Sequence, residues 1–207
     1  MTERTETTLV IPLYILAGGQ SRRFGSDKAR ATIGGVPLIV RVAEALRPKA
    51  ASVTVVAAEA GAYEDLGLTT IADRVGGLGP MGGLAAALGD RERTAGAGWI
   101  ALVSCDWLNA DAAWLRPLLG RACRDRLEAG CLAYRSERWE PMPGLYHTSI
   151  RPAVEERLAT RDRAMWRLLE SVRARAVDRP AGLEQLRQAN TPASLEDHVR
   201  ADRSAAS

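Results

Sequence analysis

Apolar positions in this chain fall into two alternating patterns: short unbroken blocks, and stretches where they recur every three or four residues. LVIPLYILA, residues 9–17, predicts a buried strand, with Pro12 delaying the regular ladder until after it. GGVPLIVRVAEALRP predicts a helix with Pro37 at its first position and Pro48 at its end. The β-branched SVTVVAA (52–58) and LTTIAD (68–73) predict two further strands, and the alanines after RVGGLGPMGG a short helix. WIALVSCDW (99–107) predicts a central strand covered on both faces. ADAAWLRPLLGRACRDRLEAG predicts a helix broken near Pro117; CLAYRSE and PMPGLYH predict strands on either side of a turn. Helices over 149–159 and 162–173, a last strand at RARAVD and a terminal helix at TPASLEDHVR complete the pattern. Thr191 before Pro192 reads as that helix's N-cap, and residues 1–8 and 201–207 as frayed ends.

Strands and helices alternating at the spacing of βαβ units predict an α/β fold: three layers, Rossmann-like, with a doubly wound, mostly parallel sheet. No long linker, repeat or low-complexity tract divides the chain, so residues 1–207 read as one domain. Such sheets bind ligands beyond the carboxyl ends of their strands, near a switch in strand order. Three motifs stand at predicted strand ends: the glycine-rich loop after the first strand, Asp73 with its glycine loop, and Asp106. The fold would bring them to one edge.

Composition removes several function classes. No apolar run is long enough to span a membrane, and the polar start MTERTETT has no signal-peptide core, so a cytoplasmic protein is expected. The net charge of +3 is scattered rather than gathered into the basic stripe that nucleic-acid binding favours. Cys105, Cys123 and Cys131 have no metal-ligand spacing and read as reduced thiols, Cys105 buried. The two histidines, His147 and His198, lie in no zinc or Ser-His-Asp pattern. The basic residues are almost all arginine, the only lysines being Lys28 and Lys49, which draws attention to Lys28.

Lys28 closes LAGGQSRRFGSDKA (16–29). Gly18, Gly19 and Gly25 let the backbone turn tightly; successive N–H groups could form an anion nest, with Arg22, Arg23 and Lys28 adding charge. The spacing is neither a Walker A loop nor GxGxxG, and a plain strand-to-helix connection with solvated arginines explains the composition equally well. Asp106, ending an apolar strand, is placed to hold a divalent metal, or to cap a turn, a role Asn109 or Asp111 could fill instead. In DRVGGLGPMGGLAAAL (73–88), Gly79 and Pro80 break the chain before a helix whose start, at Gly82 and Gly83, either receives a ligand or packs closely on the sheet. EPMPGLY, with Trp139 and Tyr146, reads as a pocket wall. Asp27 reads as a structural partner of the loop's own amides.

Together these residues resemble a family. LAGG-x-S-x-R-F-G-x-D-K-A is similar to the signature of the molybdenum cofactor guanylyltransferases. Asp73 with GLGPMGGLAAAL, SCDW (104–107), EPMPGLY and NTPASLED follow in the family's order. The resemblance implies a nucleotide-diphospho-sugar-transferase-like fold and transfer of GMP from GTP to the terminal phosphate of Mo-molybdopterin, with release of pyrophosphate. It implies catalytic roles for Lys28, Arg23 and Asp106, with Mg²⁺ (or Mn²⁺) on Asp106. GTP would contact Leu16, Ala17, Gly18, Gly19, Ser21, Gly25, Lys28, Asp73, Gly79, Pro80, Gly82 and Asp106, the backbone N–H groups of Leu16 to Gly19 holding the nucleotide. The acceptor would contact Pro141, Tyr146 and Asn190. Related cytidylyltransferases tend to carry LAAG; Gly19 here leaves room for a purine. GTP and molybdopterin are the implied partners, with transient contacts to proteins that insert molybdenum or mature molybdoenzymes. The acceptor half departs more from the pattern than the nucleotide half: Trp107-Leu108 lacks the usual proline, Glu140 replaces glutamine and adds negative charge, and Gln188 replaces an asparagine. A cytidylyltransferase, a guanylyltransferase for another phosphorylated cofactor, and a non-catalytic nucleotide- or molybdopterin-binding accessory protein are the alternative readings.

Overall fold

The computed structural model describes residues 9–18, 27–73, 77–124, 129–160 and 162–205. The order begins with β1 (Ile11–Leu16), a 3-10 turn at Lys28–Arg30, a small hairpin of β2 (Thr32–Ile33) and β3 (Val36–Pro37), and α1 (Leu38–Leu46). β4 (Ala50–Ala57), β5 (Thr70–Ala72), α2 (Pro80–Ala95), β6 (Trp99–Ser104) and α3 (Arg116–Arg124) follow. Then come β7 (Cys131–Arg135), β8 (Trp139–His147), α4 (Arg151–Ala159), α5 (Met165–Ser171), β9 (Ala174–Val177) and α6 (Pro192–Ala205).

One seven-stranded sheet runs β5-β4-β1-β6-β8-β7-β9. β1 lies parallel to β4 and β6, β4 to β5, and β7 to β9, while β8 alone runs against both its neighbours. Side chains alternate across the pleat, so the unbroken apolar run of β1 feeds two cores. Leu13 and Ile15 face Ile39 and Val42 of α1 and Leu118 of α3, with Val55 and Val103 beside them. Tyr14 and Leu16 face the opposite layer, among Leu84 and Leu88 of α2, Val154 of α4 and Leu168 of α5. This is the three-layer, mostly parallel arrangement the alternation predicts.

Local signals explain most element boundaries. Pro12 coincides with a register shift between Ile11 and Leu13 against β4, and pairing with β6 starts only at Leu13. The helix expected to start at Pro37 instead has Pro37 as its extended N-cap (φ −57°, ψ 143°), because Val36 and Pro37 pair with Thr32 and Ile33. Gly34 and Gly35, at φ 59° and 82°, turn that hairpin. α2 is longer than the short helix predicted, with 16 residues. Thr191 and Ser194 exchange side-chain bonds to each other's amides at the start of α6. That helix continues to Ala205, and the expectation for residues 1–8 lies outside the described residues. Among the described residues no helix is long and apolar enough to cross a membrane.

Candidate active site

β1 is the point where strand order reverses. The chain moves from β1 through α1 to β4 and β5 on one side, and α2 returns it to β6 on the other. In open α/β sheets the crevice beyond such a point is where ligands bind. Here the strand ends are tied together: Cys105 N donates to Leu16 O at 3.1 Å, Ala17 N to Val56 O at 2.9 Å, and Asp73 N to Ala57 O at 2.6 Å. The first glycine-rich segment, Asp73 and Asp106 therefore leave the sheet side by side, as the strand-end placement of the three motifs predicts.

Lys28 and Asp106 meet. Lys28 Nζ donates to Asp106 Oδ2 at 2.8 Å, with the two side chains only 17% and 14% exposed. The second carboxylate oxygen, Oδ1, is buried and accepts no hydrogen bond. A buried carboxylate oxygen without a donor is costly unless something else satisfies it. Capping does not explain Asp106, because Asp111 caps the following 3-10 turn by accepting from Ala113 N at 2.7 Å. Asn109 is also occupied, donating to Gln185 O and accepting from Arg187 N. The main chain at 106–108 is zipped to the segment before α6: Ala189 N donates to Asp106 O and Leu108 N to Arg187 O, with Trp107 and Gln188 forming an antiparallel bridge. That pairing carries the exposed Asn190 to the Asp106 loop. Trp107 is buried and packs edge-on against Trp114.

The second glycine loop packs closely on the sheet, one of the two readings of it. Gly79, the N-cap of α2, stands at φ 65°, a conformation that favours glycine, and offers no side-chain cap; Pro80 is the first residue of the helix. At Gly82 a Cβ would lie 2.8 Å from Asp73 Oδ2 and 3.0 Å from Oδ1, so the carboxylate sits directly on the first turn of the helix. The helix dipole favours a negative charge there. One turn position on, a Cβ at Gly83 would lie 2.6 Å from Leu16 Cδ2, so that glycine serves close packing of α2 on β1. The resemblance to the guanylyltransferases assigns this turn to Mg·GTP; on that assignment Gly82→Ala should weaken Mg·GTP binding about tenfold, one lost charge-assisted contact, with little change in melting temperature. The alanine's helix preference, up to ~1 kcal/mol, offsets the steric cost to the fold, whereas the displaced Asp73 carboxylate is read directly in calorimetric affinity. Unchanged affinity would remove Asp73 from the nucleotide site.

Some expected contacts are corrected. The Ala17 N–H is spent on Val56 O and cannot cradle a nucleotide, and Leu16 pairs on both sides within the sheet, with Val56 and Ser104. Gly18 is exposed, with nothing within 4 Å of where its Cβ would stand. Gly19, Ser21, Arg22, Arg23 and Gly25 lie outside the described residues. Tyr146 is not a pocket wall. It is wholly buried, and its hydroxyl donates to Pro141 O at 2.7 Å; burial pushes the phenol far above its ordinary pKa. Pro141 is half-buried in β8, near the site edge because β8 runs antiparallel to β6. Glu140 does not present a bare charge: Arg179 approaches it at 3.3 Å and Ser136 Oγ donates to it at 3.1 Å, while Arg135 lies over the Trp139 ring. Cys105, pushed up to about 12 by burial and the neighbouring Asp106 charge, is an inert thiol.

Asp27 is structural, as its place in the turn suggests. Its Oδ1 accepts from Ala29 N at 3.0 Å, capping the 3-10 turn that carries Lys28, and its Oδ2 accepts from Tyr63 Oη at 2.8 Å. Sequence reading missed Tyr63, and also the Arg187–Ala189 segment. Neither lies in a periodic or glycine-rich stretch, and both reach the site across many residues.

A parallel-sheet edge at a strand-order switch, carrying a lysine–aspartate pair and a helix entered through Gly79, is the edge of a nucleotide-handling α/β protein. The sequence from 13 to 177 matches the model of the MobA-like NTP transferase domain. This chain belongs to that family. It is similar to the molybdenum cofactor guanylyltransferase of Rhodobacter capsulatus, 36% identical over 193 residues that cover 90% of this chain and 95% of the relative. The enzyme of the same name from Nitrobacter hamburgensis is 33% identical over 200 residues, covering 93% of both chains. Among solved structures, molybdopterin-guanine dinucleotide biosynthesis protein A of Archaeoglobus fulgidus superposes with a TM-score of 0.70 over 93% of this chain and 99% of that one, at 20% identity, a likeness of fold.

Proposed function

We propose that this chain transfers GMP from GTP to the terminal phosphate of Mo-molybdopterin, forming the guanine dinucleotide and releasing pyrophosphate. The observation that carries the reading is the Lys28–Asp106 pair at the switch point, one carboxylate oxygen on the ammonium and the other buried without a donor. The guanylyltransferases to which the chain is similar supply the nucleotide and the acceptor.

In the reaction, an oxygen of the acceptor phosphate attacks the α-phosphorus of GTP. The bond from that phosphorus to the bridging oxygen breaks, and pyrophosphate leaves with its electron pair. Such a displacement needs positioning and charge neutralisation rather than a protein nucleophile. Lys28 neutralises charge on the phosphates, and Arg23 is assigned to the same task. The amides at the start of α2 face the nucleotide, and Asp73, an acceptor only, receives donors from the nucleoside. Asn190, held beside the Asp106 loop, and the main chain around Pro141 are assigned to the acceptor.

The residues present fit Mg²⁺. Asp106 offers one orphaned, buried oxygen. Mg²⁺ commonly takes one or two protein carboxylates and completes its shell with phosphate and water. When bound it would supply Lewis-acid charge at the phosphates; Mn²⁺ has the same ligand preferences.

Incubation with GTP, Mg²⁺ and Mo-molybdopterin should release pyrophosphate and yield the dinucleotide. Nucleotide binding with no pyrophosphate would instead identify a carrier. Mg·GTP at about a hundred times its Kd should add ~2.7 kcal/mol, which is about 5–10 °C in a chain of this length. Mg·CTP should shift the melt clearly less, since steric discrimination of this kind is worth about 10–200-fold. Equal shifts would sink the base assignment. In the cell, transient contacts with molybdenum-inserting and molybdoenzyme-maturing proteins follow from the product.

A further inference from the structure

The turn that carries Lys28 is anchored from outside the site. Lys28–Arg30 is a single 3-10 turn, and Asp27 caps it with one carboxylate oxygen. Such a short turn cannot fix its own orientation, because nucleation of so few residues is unfavourable. Its second anchor is the other Asp27 oxygen, which receives the Tyr63 hydroxyl at 2.8 Å. Tyr63 is 3% exposed and belongs to the β4–β5 connection, 36 residues away in sequence. That connection is itself rigidly held. Tyr63 N donates to Thr70 Oγ1, and Tyr63 O accepts from both Leu66 N and Leu68 N. Arg30, on the far end of the turn, lies over the Tyr63 ring at 5.2 Å, donates to Ala62 O, and makes a two-pronged bond to Asp65. Burial, and then the Asp27 carboxylate, hold the phenol well above its ordinary pKa, so it remains a donor.

We propose that Tyr63 is a positioning residue for the phosphate-binding lysine: through Asp27 it fixes the turn from which Lys28 reaches Asp106. This rests on the functional reading above, in that Lys28 binds nucleotide phosphates. Tyr63 touches no reacting atom. Its hydroxyl sets where the Lys28 backbone stands, and the lysine stem then delivers the ammonium to the strand edge. Without the hydroxyl the Asp27 cap on Ala29 survives, but the Asp27 Oδ2 oxygen is left to the Arg30 guanidinium, already 3.6 Å away. The turn would then rotate toward the surface and draw Lys28 with it.

The test is a double-variant cycle on the calorimetric affinity for Mg·GTP, with no acceptor present. Tyr63→Phe keeps the ring and removes one hydrogen bond to a charged group, and should weaken binding about three- to tenfold. Lys28→Met should weaken it by about tenfold or more. If Tyr63 acts through Lys28, adding Tyr63→Phe to Lys28→Met costs no further affinity. Asp27→Asn, which weakens the same bond from its acceptor end, should be equally silent in the Lys28→Met background. That variant decides the matter should Tyr63→Phe fail to fold. Losses that multiply in the double variants would show a merely structural tyrosine and overturn the proposal. Wild-type protein that binds no Mg·GTP would overturn the functional reading and this one together, so the two failures are distinguishable.

Discussion

Asp106→Asn will slow transfer about a hundred- to a thousandfold, the loss of some 3–4 kcal/mol of transition-state stabilisation, while the protein still folds. Asparagine matches aspartate in shape and keeps one acceptor oxygen, but it removes the negative charge that faces Lys28 and that a divalent cation requires. Two effects on stability oppose each other. The ion pair at 2.8 Å is lost, yet the orphaned Oδ1 no longer belongs to a charged group. Breaking a fully buried pair costs about 3–5 kcal/mol; both partners here keep contact with water, so the cost falls below that range. Lys28 can also extend its stem and solvate its ammonium. The melting temperature should therefore fall only a few degrees. Pyrophosphate release checks the first part and a thermal melt the second. Mn²⁺ affinity, followed by electron paramagnetic resonance with GTP present, should fall in parallel. Near-normal turnover would take Asp106 out of the chemistry.

The features legible in the sequence are those that leave a local trace. The run WIALVSCDW shows β6 because a strand between two helical layers needs apolar residues on both faces, and it lies fourth of seven in the sheet. Pro12 reveals its register shift because proline cannot donate to a ladder. Asp73 and Asp106 were legible as a pair because parallel strands must end on the same edge. What stayed hidden depends on pairing between distant segments. The zipping of 187–189 onto 106–108 brings Asn190 to the site, and nothing in QANTP signals a strand partner eighty residues earlier. Glu140 looked like a stray charge because Arg179, which meets it, lies on the far side of α4 and α5 in the chain. Tyr146 was misjudged for a related reason. A tyrosine in a PxPGxY turn-and-strand pattern can point to either face, and only the pairing of β8 between β6 and β7 decides that it goes inward. The small hairpin at β2 and β3 was missed because its strands have two residues each, too few for a period.

Lys28→Met should be as damaging to transfer as Asp106→Asn, about a hundredfold or more, because removing one preorganised charge at a developing charge costs about 10²–10³. Its effect on the fold should be larger. Methionine fills the stem's volume but leaves the Asp106 carboxylate without its ammonium, with Oδ1 already lacking a donor. Aspartate is short and fixed at the end of β6, so it cannot reach for water as lysine can. We therefore expect the melting temperature of Lys28→Met to lie below that of Asp106→Asn, and the double variant to recover part of the loss. Raising the Mg²⁺ concentration should lift the Lys28→Met melt more than the wild-type melt, since a cation then finds an uncompensated carboxylate. Lys28→Arg should restore the stability and little of the activity. Its planar, delocalised guanidinium can still pair with Asp106 but cannot occupy the place of a compact point charge. If Lys28→Met melts with or above Asp106→Asn, the carboxylate is satisfied by some group other than Lys28.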